Sequence, residues 1–276
     1  MNPHFTALTA AYQLHYYLWF KTYYLRPLLE AHDVRLVVQT VLTDVCARND
    51  YHLLESDITQ DQLRLHISLQ PRHTVSQTVR LLKGNLQYQF GKSFGTGKLL
   101  GKGYFARSSG KVDLTRVRRY VESQITHHGY AGEWTKPLRY RNQDFRSPAF
   151  RFDHCVSILN YHFVFVTHCR LALFDETIAP RLFEYILAIG LKHKFAVDRI
   201  GLLPDHMHMI IEGIPSISVE EYALAIVNNT RYWMEKNYSG VLQATDGWDV
   251  WQPSYYAGTV GEYTTAQVNS FLRGGG

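Results

Sequence analysis

The stretch YHFVFVTHC at residues 161–169 repeats the aromatic and apolar pattern of YYLWFKTYY at residues 16–24. Both stretches are typical of buried strands, since β-branched and aromatic residues dominate them. Further along, KGYFA at residues 102–106 has a counterpart in PSYYA at residues 253–257. The paired stretches follow one another in the same order, which predicts that the chain contains two copies of one domain.

Each copy is predicted to have the same order of elements. Apolar and β-branched runs predict a strand, a helix, two strands flanking a turn, a second helix and a final strand. This order is the split βαβ pattern of a ferredoxin-like α+β protein. We therefore predict two tandem ferredoxin-like domains forming a pseudo-dimer, with antiparallel sheets and helices on one face. Their bounds are residues 10–124 and 156–276, joined by a linker at residues 125–155.

Four long helices are predicted from the same patterns. They cover about residues 26–49 and 75–90 in the first copy, and about residues 178–193 and 219–237 in the second. Ser218 precedes the last of these helices as a candidate N-cap, with acidic residues in the first turn.

The composition indicates a folded, soluble protein. Of its 276 residues, 46% are hydrophobic and 14% aromatic, which is enough for two packed cores. A net charge of +5 is compatible with a polyanionic partner but does not require one. Three scattered cysteines exclude a disulfide framework, and the sequence has neither a signal-peptide pattern nor a membrane span. We expect a cytoplasmic protein.

A pair of histidines in the second copy is the first candidate for chemistry. The run LPDHMHMII at residues 203–211 places His206 and His208 on one face of a strand, because alternate side chains share a face. Neutral imidazoles bind divalent metal ions, although a structural role is an equally good interpretation in a chain with 14 histidines. In the matching run of the first copy, DQLRLHI at residues 61–67, Gln62 and Arg64 replace the pair.

A helix at the end of the first copy is the second candidate. The run DLTRVRRYVESQ at residues 113–124 places Tyr120 and Gln124 one turn apart on one helix face, and Asp113 is a candidate N-cap. Taken alone, this is also the pattern of a surface helix with an amphipathic tyrosine. In the second copy, Phe271 and Gly275 stand where this tyrosine and glutamine would be.

Basic residues surround these candidates. Guanidinium groups pair with phosphates and aromatic faces accept unstacked bases, so an arginine-rich and aromatic segment is a candidate DNA surface. For the linker, a segment packed down by its own aromatic residues is at least as good an interpretation. The candidate DNA-binding residues are Arg116, Arg118, Arg119, Arg139, Arg141 and Arg231.

Taken together, these motifs resemble the single-tyrosine HUH transposases, which are the small transposases of insertion sequences and the related REP-associated tyrosine transposases. The resemblance covers nearly all of the second copy and, more weakly, the first. It implies that two histidines and a glutamine bind a divalent metal, Mg or Mn, and that a tyrosine attacks single-stranded DNA. Carried over, His206 and His208 are the histidine pair, Tyr120 is the nucleophile and Gln124 is the third ligand.

The resemblance also implies that the tyrosine helix can be supplied across a dimer interface. We therefore expect one composite site that cleaves and rejoins hairpin-forming single-stranded DNA through a 5′-phosphotyrosine intermediate. Gln62, Arg64, Phe271 and Gly275 are then decayed counterparts. Further self-association and association with the nucleoid on DNA binding are compatible with this expectation. The alternative is a domesticated protein that binds hairpin DNA without cleaving it. A metal-dependent phosphohydrolase of small substrates is a weaker interpretation, because it would need a second histidine motif.

Overall fold

The computed structural model describes residues 4–95, 97–110, 112–123, 138–143, 145, 150–152, 155–243 and 249–261. The fold is mixed α+β and is built on a large, mostly antiparallel sheet. Within the described residues, none of the helices has the length and apolar character needed to cross a membrane.

The first half of the chain supplies one antiparallel part of the sheet. The strands have the order β3-β4-β2-β5, preceded in the chain by a short strand β1. Their bounds are β1 (Thr9–Gln13), β2 (His15–Lys21), β3 (His52–Ile58), β4 (Gln62–Ser68) and β5 (Tyr104–Ser109). The helices are α1 (His32–Arg48), α2 (Val75–Phe94) and α3 (Leu114–Glu122).

The linker and the second half supply the other part. The linker contributes β6 (Leu138–Arg141) and β7 (Phe150–Phe152). The second half contains β8 (Cys155–Thr167), α4 (Ile178–His193), β9 (Ala196–Leu203), β10 (His206–Gly213), α5 (Val219–Asn237), α6 (Ser239–Gln243) and β11 (Trp251–Val260). Its strands have the order β9-β10-β8-β11, all antiparallel, and β6 extends this sheet beyond β9.

A seam of parallel strand pairs joins the two halves into one sheet. Strand β5 pairs with the start of β8, with Tyr104 opposite Cys155, and β1 pairs with β11, with Ala10 opposite Tyr255.

Reciprocal hydrogen bonds cross this seam. The Ser108 hydroxyl donates to the Val260 carbonyl (2.7 Å), and the Thr259 hydroxyl donates to the Ser109 carbonyl (2.6 Å). Each half therefore supplies a hydroxyl to a strand of the other.

The four long helices cover one face of the sheet. Alternate residues of β2 and β8 enter a hydrophobic core shared with α1, α2, α4 and α5. At its centre, the hydroxyls of Tyr16 and Tyr161 lie 3.4 Å apart, and burial raises the pKa of both. The expectation of helices on one face is wrong for α3, whose Val117 and Val121 pack on Ile210 from the opposite side. These valines are one turn apart, so they form an apolar stripe that needs a sheet surface to cover it.

Three of the four predicted long helices agree with the structure: α4 and α5 have the predicted bounds, and α2 runs four residues past its predicted end. The predicted start of α1 at residue 26 is wrong, since the helix begins at His32 and Arg26, which precedes a proline, is extended. The Ser218 hydroxyl accepts a hydrogen bond from the Glu221 amide, and the Glu221 carboxylate accepts one from the Ser218 amide. This capping box confirms Ser218 as the N-cap of α5.

We expect Gly110→Ala to destabilise the seam. A Cβ at this position would overlap the backbone carbonyl of Thr259 on the other half, so the two strands would have to separate locally. The expected loss in the free energy of unfolding is about 1–3 kcal/mol, measured by urea denaturation. The matched control is Gly84→Ala in α2, where nothing lies within 4 Å, and it should stabilise the protein by up to about 1 kcal/mol. Equal effects of the two substitutions would contradict a tightly packed seam.

Candidate active site

The two histidines of β10 face away from the helix-covered core. Met207 and Met209 point into that core, whereas His206 and His208 lie on the opposite face and are each 4% exposed. The Nδ1 atom of His206 lies 2.6 Å from a carboxylate oxygen of Asp205, whose other oxygen accepts a hydrogen bond from Arg170 at 3.1 Å. A carboxylate partner on Nδ1 orients the ring and makes Nε2 the ligand atom available to a metal.

His162 on the neighbouring strand β8 orients the second histidine. Its Nε2 lies 3.1 Å from Nδ1 of His208, and the two rings stack with centroids 5.4 Å apart. Burial lowers the pKa of His162 to about 4, so this imidazole is neutral near neutral pH and accepts a hydrogen bond readily. When His208 donates from Nδ1 to His162, its Nε2 carries the lone pair that a metal ion requires.

Helix α3 brings Tyr120 to this pair. The helix begins where predicted, since the Asp113 carboxylate accepts a hydrogen bond from the Arg116 amide at 2.8 Å. The Tyr120 ring meets those of His208 and His162 edge-on, with centroid distances of 5.5 and 6.1 Å. The tyrosine is 43% exposed, so one side of its ring contacts the histidines and the other remains accessible.

Buried ion pairs hold α3 on the second half. The Arg118 guanidinium lies 2.6 Å from the carboxylate of Asp198, which is fully buried in β9, and the same carboxylate also pairs with Arg199 at 2.6 Å. Arg199 in turn reaches Glu122 at the end of α3, at 3.0 Å. We call Arg118, Glu122, Asp198 and Arg199 the ion-pair clamp.

A glycine makes the close approach of α3 possible. A Cβ at position 201 would lie 2.7 Å from the Val121 carbonyl oxygen and 3.0 Å from its side chain, so Gly201 lets the helix lie against β9. The clamp and this contact together fix the position of Tyr120 relative to β10.

The structure therefore brings three of the predicted site residues together, namely Tyr120, His206 and His208. Gln124, the predicted third ligand, lies outside the described residues, as do Phe271 and Gly275. No cluster of three or more histidine, cysteine, aspartate or glutamate side chains suited to a metal ion occurs in the part of the chain that is described.

The predicted DNA-binding arginines divide into three groups. Arg116, Arg119, Arg139 and Arg141 are exposed. Arg118 is half-buried and belongs to the ion-pair clamp. The prediction for Arg231 is wrong, because its side chain is only 3% exposed and pairs with Asp249 at 3.0 Å and Glu235 at 3.3 Å. A guanidinium already desolvated and neutralised in the core does not reach a phosphate.

The corresponding face of the first half is built differently. Gln62 and Arg64 occupy the positions of the histidine pair, with a 2.9 Å hydrogen bond between them, and the Arg64 guanidinium lies over the Trp19 ring. Asp57 lies opposite Arg64 in the sheet, just as Gly201 lies opposite His208, so Asp57 takes the position of Gly201. His66 takes the register position of Ile210 and bonds to the Ser109 hydroxyl at 2.8 Å. This face therefore lacks the small residue that lets α3 lie close to β9, and its apolar side chains, Tyr17, Trp19 and Phe105, form a separate buried cluster.

Three functional contributors are absent from the sequence prediction of the site. They are His162, Asp205 and Asp198. A charged pair inside the apolar strand AVDRIGLL at residues 196–203 signals a buried ion pair for Asp198. Asp205 adjoins the histidine motif directly. The role of His162 depends on strand pairing and has no local signal.

Comparisons with known proteins point to one family. The family model described as "Transposase IS200 like" matches residues 10–124 and 155–274, which together span most of the chain. The chain is 24% identical over 114 residues to the ISDra2 transposase TnpA of Deinococcus radiodurans, an alignment covering 41% of this chain and 81% of that protein.

Among solved structures, a Deinococcus radiodurans R1 protein described as a candidate transposase is similar, with 21% identity and a TM-score of 0.35. The similarity covers 45% of this chain and 98% of that one. An unknown protein from Galdieria sulphuraria has 9% identity and a TM-score of 0.21, covering 82% of this chain and 94% of that one.

We expect Asp198→Asn to weaken the ion-pair clamp strongly. Arg199, only 7% exposed, would lose one of its two carboxylate partners, and Arg118 would lose its own. The free energy of unfolding should fall by about 3 kcal/mol, measured by urea denaturation. As a control, Asp57→Asn breaks a pair whose aspartate is 52% exposed, and should cost less than about 1 kcal/mol. A small effect of the first substitution would show that α3 does not depend on the clamp.

Proposed function

The chain belongs to the IS200-like transposase family, and from this premise we propose that it cleaves and rejoins single-stranded DNA at one composite site. The observation that carries the proposal is the contact between Tyr120, on a helix of the first half, and His208, on a strand of the second. A nucleophile and a metal-ligand pair from opposite halves then act as one site. The DNA is a transposon end, and its single-stranded, hairpin-forming character follows the family resemblance.

The proposal includes a tandem duplication of a ferredoxin-like domain. Two features support it. Both halves have the strand order of the split βαβ pattern, in which the first strand lies between the third and the fourth. In the first half β2 lies between β4 and β5, and in the second half β8 lies between β10 and β11. The two parallel pairs of the seam also match each other. Positions 10 and 155 are equivalent in the two halves, as are positions 104 and 255, and the observed pairs are Ala10 with Tyr255 and Cys155 with Tyr104. The chain then has the symmetry of a dimer within one polypeptide.

The residues present fit a divalent metal ion. His206 and His208 have their Nδ1 atoms directed to Asp205 and His162, so their Nε2 atoms are the nitrogens that would bind the metal. Gln124 would add a neutral oxygen, and the DNA phosphate the negative charge that Mg and Mn favour. When bound, the metal polarises the scissile phosphate and offsets charge in the transition state.

Tyr120 is the proposed nucleophile. Its phenolic oxygen forms a bond to phosphorus while the bond from phosphorus to the 3′-oxygen breaks, leaving a 5′-phosphotyrosine and a free 3′-hydroxyl. The phenolic proton is lost and the departing oxygen gains one. One phosphodiester replaces another, so a 3′-hydroxyl can reverse the step and join strands without ATP.

The composition of the first-half face supports a single site. Gln62 and Arg64 lack a pair of imidazoles, and Asp57 stands where Gly201 allows α3 to approach. A tyrosine helix docked there would meet Asp57 and Arg64, whose charges need water or ion partners. One chain therefore holds one strand end at a time.

We expect Tyr120→Phe to abolish the covalent product. Labelled single-stranded hairpin DNA incubated with the wild-type protein and Mn or Mg should give a denaturation-resistant adduct. The variant should form at least about 10³-fold less adduct, because its ring has no nucleophilic oxygen. The readout is denaturing electrophoresis. The matched control is Tyr256→Phe, since Tyr256 also lies edge-on to His162, with centroids 6.0 Å apart.

Two results would argue against this assignment. An adduct retained by Tyr120→Phe and lost by Tyr256→Phe would show that Tyr256, and not Tyr120, is the nucleophile. Tight hairpin binding by the wild type with no adduct would instead indicate a domesticated DNA-binding protein.

We expect His162→Phe to weaken metal binding. The variant fills the same buried space but removes the acceptor for the His208 Nδ1–H, so that His208 is no longer held in the ligating tautomer. Affinity for Mn, measured by isothermal titration calorimetry without DNA, should fall about 10-fold or more. His162→Gln, whose amide oxygen can accept the same hydrogen bond, should recover most of it.

His52→Phe, an exposed position of β3 in the first half, is the control and should bind Mn as the wild type does. Wild-type affinity in His162→Phe would show that this histidine does not orient a metal ligand.

A further inference from the structure

The family match leaves out residues 125–154, which are nearly all of the linker. The matched regions end at residue 124 and resume at residue 155. Within this segment, residues 138–141 form β6, which pairs antiparallel with β9 at the edge of the site-bearing sheet. Its Tyr140 ring packs against Phe183 of α4, with centroids 6.2 Å apart. Residues 138–141 are therefore part of the second half's fold.

The register of β6 decides which side chains face the site. Arg139 pairs with Gly201, and Arg141 pairs with Arg199. Residues directly opposite in a sheet point to the same side, and these two partners lie beneath α3. Arg139 and Arg141 consequently project on the face that carries α3 and the histidines, while Tyr140 points to the helix-covered core.

Further contacts fix this strand relative to α3. The Asn142 amide donates to the Asp198 carbonyl at 3.0 Å, and its side chain donates to the Val197 carbonyl at 3.1 Å. Phe145 lies under the Arg118 guanidinium, 5.9 Å from its ring centroid. The described residues of the linker thus contact both β9 and the ion-pair clamp, and Arg139 and Arg141 are held beside the tyrosine helix.

The exposed charges of this face are mostly positive. Arg116 and Arg119 are exposed on α3, and Arg139 and Arg141 are exposed on β6. Three acidic groups of the described residues near them are already engaged, because Asp198 and Glu122 belong to the clamp and Asp113 caps α3 while pairing with Arg116 at 3.5 Å. Among the described residues, Arg119, Arg139 and Arg141 have no ion-pair partner. We call Arg116, Arg119, Arg139 and Arg141 the arginine ridge.

We propose that the arginine ridge binds the backbone of single-stranded DNA beside Tyr120, and that β6 extends the DNA-binding surface beyond the family fold. The inference rests on the proposed function. Arg139 and Arg141 are about 7 Å apart along the strand, so each can engage a separate phosphate. Guanidinium contacts of this kind position the strand without reading its sequence.

The test compares two double variants with equal changes in charge. The first is Arg139→Gln with Arg141→Gln on the ridge. The second is Arg80→Gln with Lys92→Gln, two exposed positions of α2 in the helix layer on the opposite face. Fluorescence anisotropy with a labelled single-stranded hairpin carrying unpaired flanks gives Kd over a series of salt concentrations. Thermal unfolding of each variant checks that the fold is retained.

We expect the ridge variant to bind more weakly, with a slope of log Kd against log salt that is smaller by about 1.4, because each lost phosphate contact accounts for about 0.7. The helix-layer variant should match the wild type. Equal slopes in the two variants would overturn the inference, and so would a ridge effect seen only with the corresponding duplex. Wild-type protein that neither binds the single strand nor forms the Tyr120 adduct would overturn the proposed function itself.

Discussion

The parallel pairing of strands across the seam is the constraint on which the rest of this structure depends. Because β5 lies beside the start of β8, the chain that leaves β5 emerges at the sheet of the second half. Helix α3 therefore covers β9 and β10 of that half instead of strands of its own. The reciprocal hydrogen bonds from Ser108 and Thr259 join β5 to β11, while the Ser108 hydroxyl accepts from the Asn160 amide of β8 and the Thr259 hydroxyl donates to the Gln13 carbonyl of β1. A shift of one residue would turn every side chain of a seam strand to the wrong face.

Given this arrangement, the candidate site is held by desolvated polar contacts. The clamp buries Asp198 and Arg199 almost completely, and such pairs add little net stability over an apolar contact. The clamp instead fixes the position of α3. An unpaired charge at this depth would be costly, so the helix is held where both arginines have carboxylate partners. His162 acts similarly on His208, through one hydrogen bond from a neutral ring. Apolar packing of Val117 and Val121 alone would allow the helix to slide or rotate.

The two halves carry complementary features on the face opposite the helices. In the first half, the face opposite the helices carries a buried cluster of Tyr17, Trp19 and Phe105, with Arg64 over the Trp19 ring and His66 bonded to Ser109. In the second half, the same register positions carry the histidine pair, a glycine and apolar residues that receive α3. Under the proposed duplication, a chain that contains both halves needs each feature on only one of the two faces. The family match in two regions supports that proposal, and residues 138–141 between those regions form an edge strand.

The sequence by itself determined the features that depend on neighbouring residues. The 3.6-residue and two-residue periodicities gave the bounds of α4 and α5, the capping of α3 and α5, and the shared face of His206 and His208. Only the tertiary structure decided which residues meet across the chain. It placed Tyr120 on His208, gave His162 and Asp198 their partners, buried Arg231 and turned the linker arginines toward α3. The physical reason is that burial and strand register arise from contacts far apart in the chain, so a residue type alone does not reveal whether its charge faces water or an ion partner.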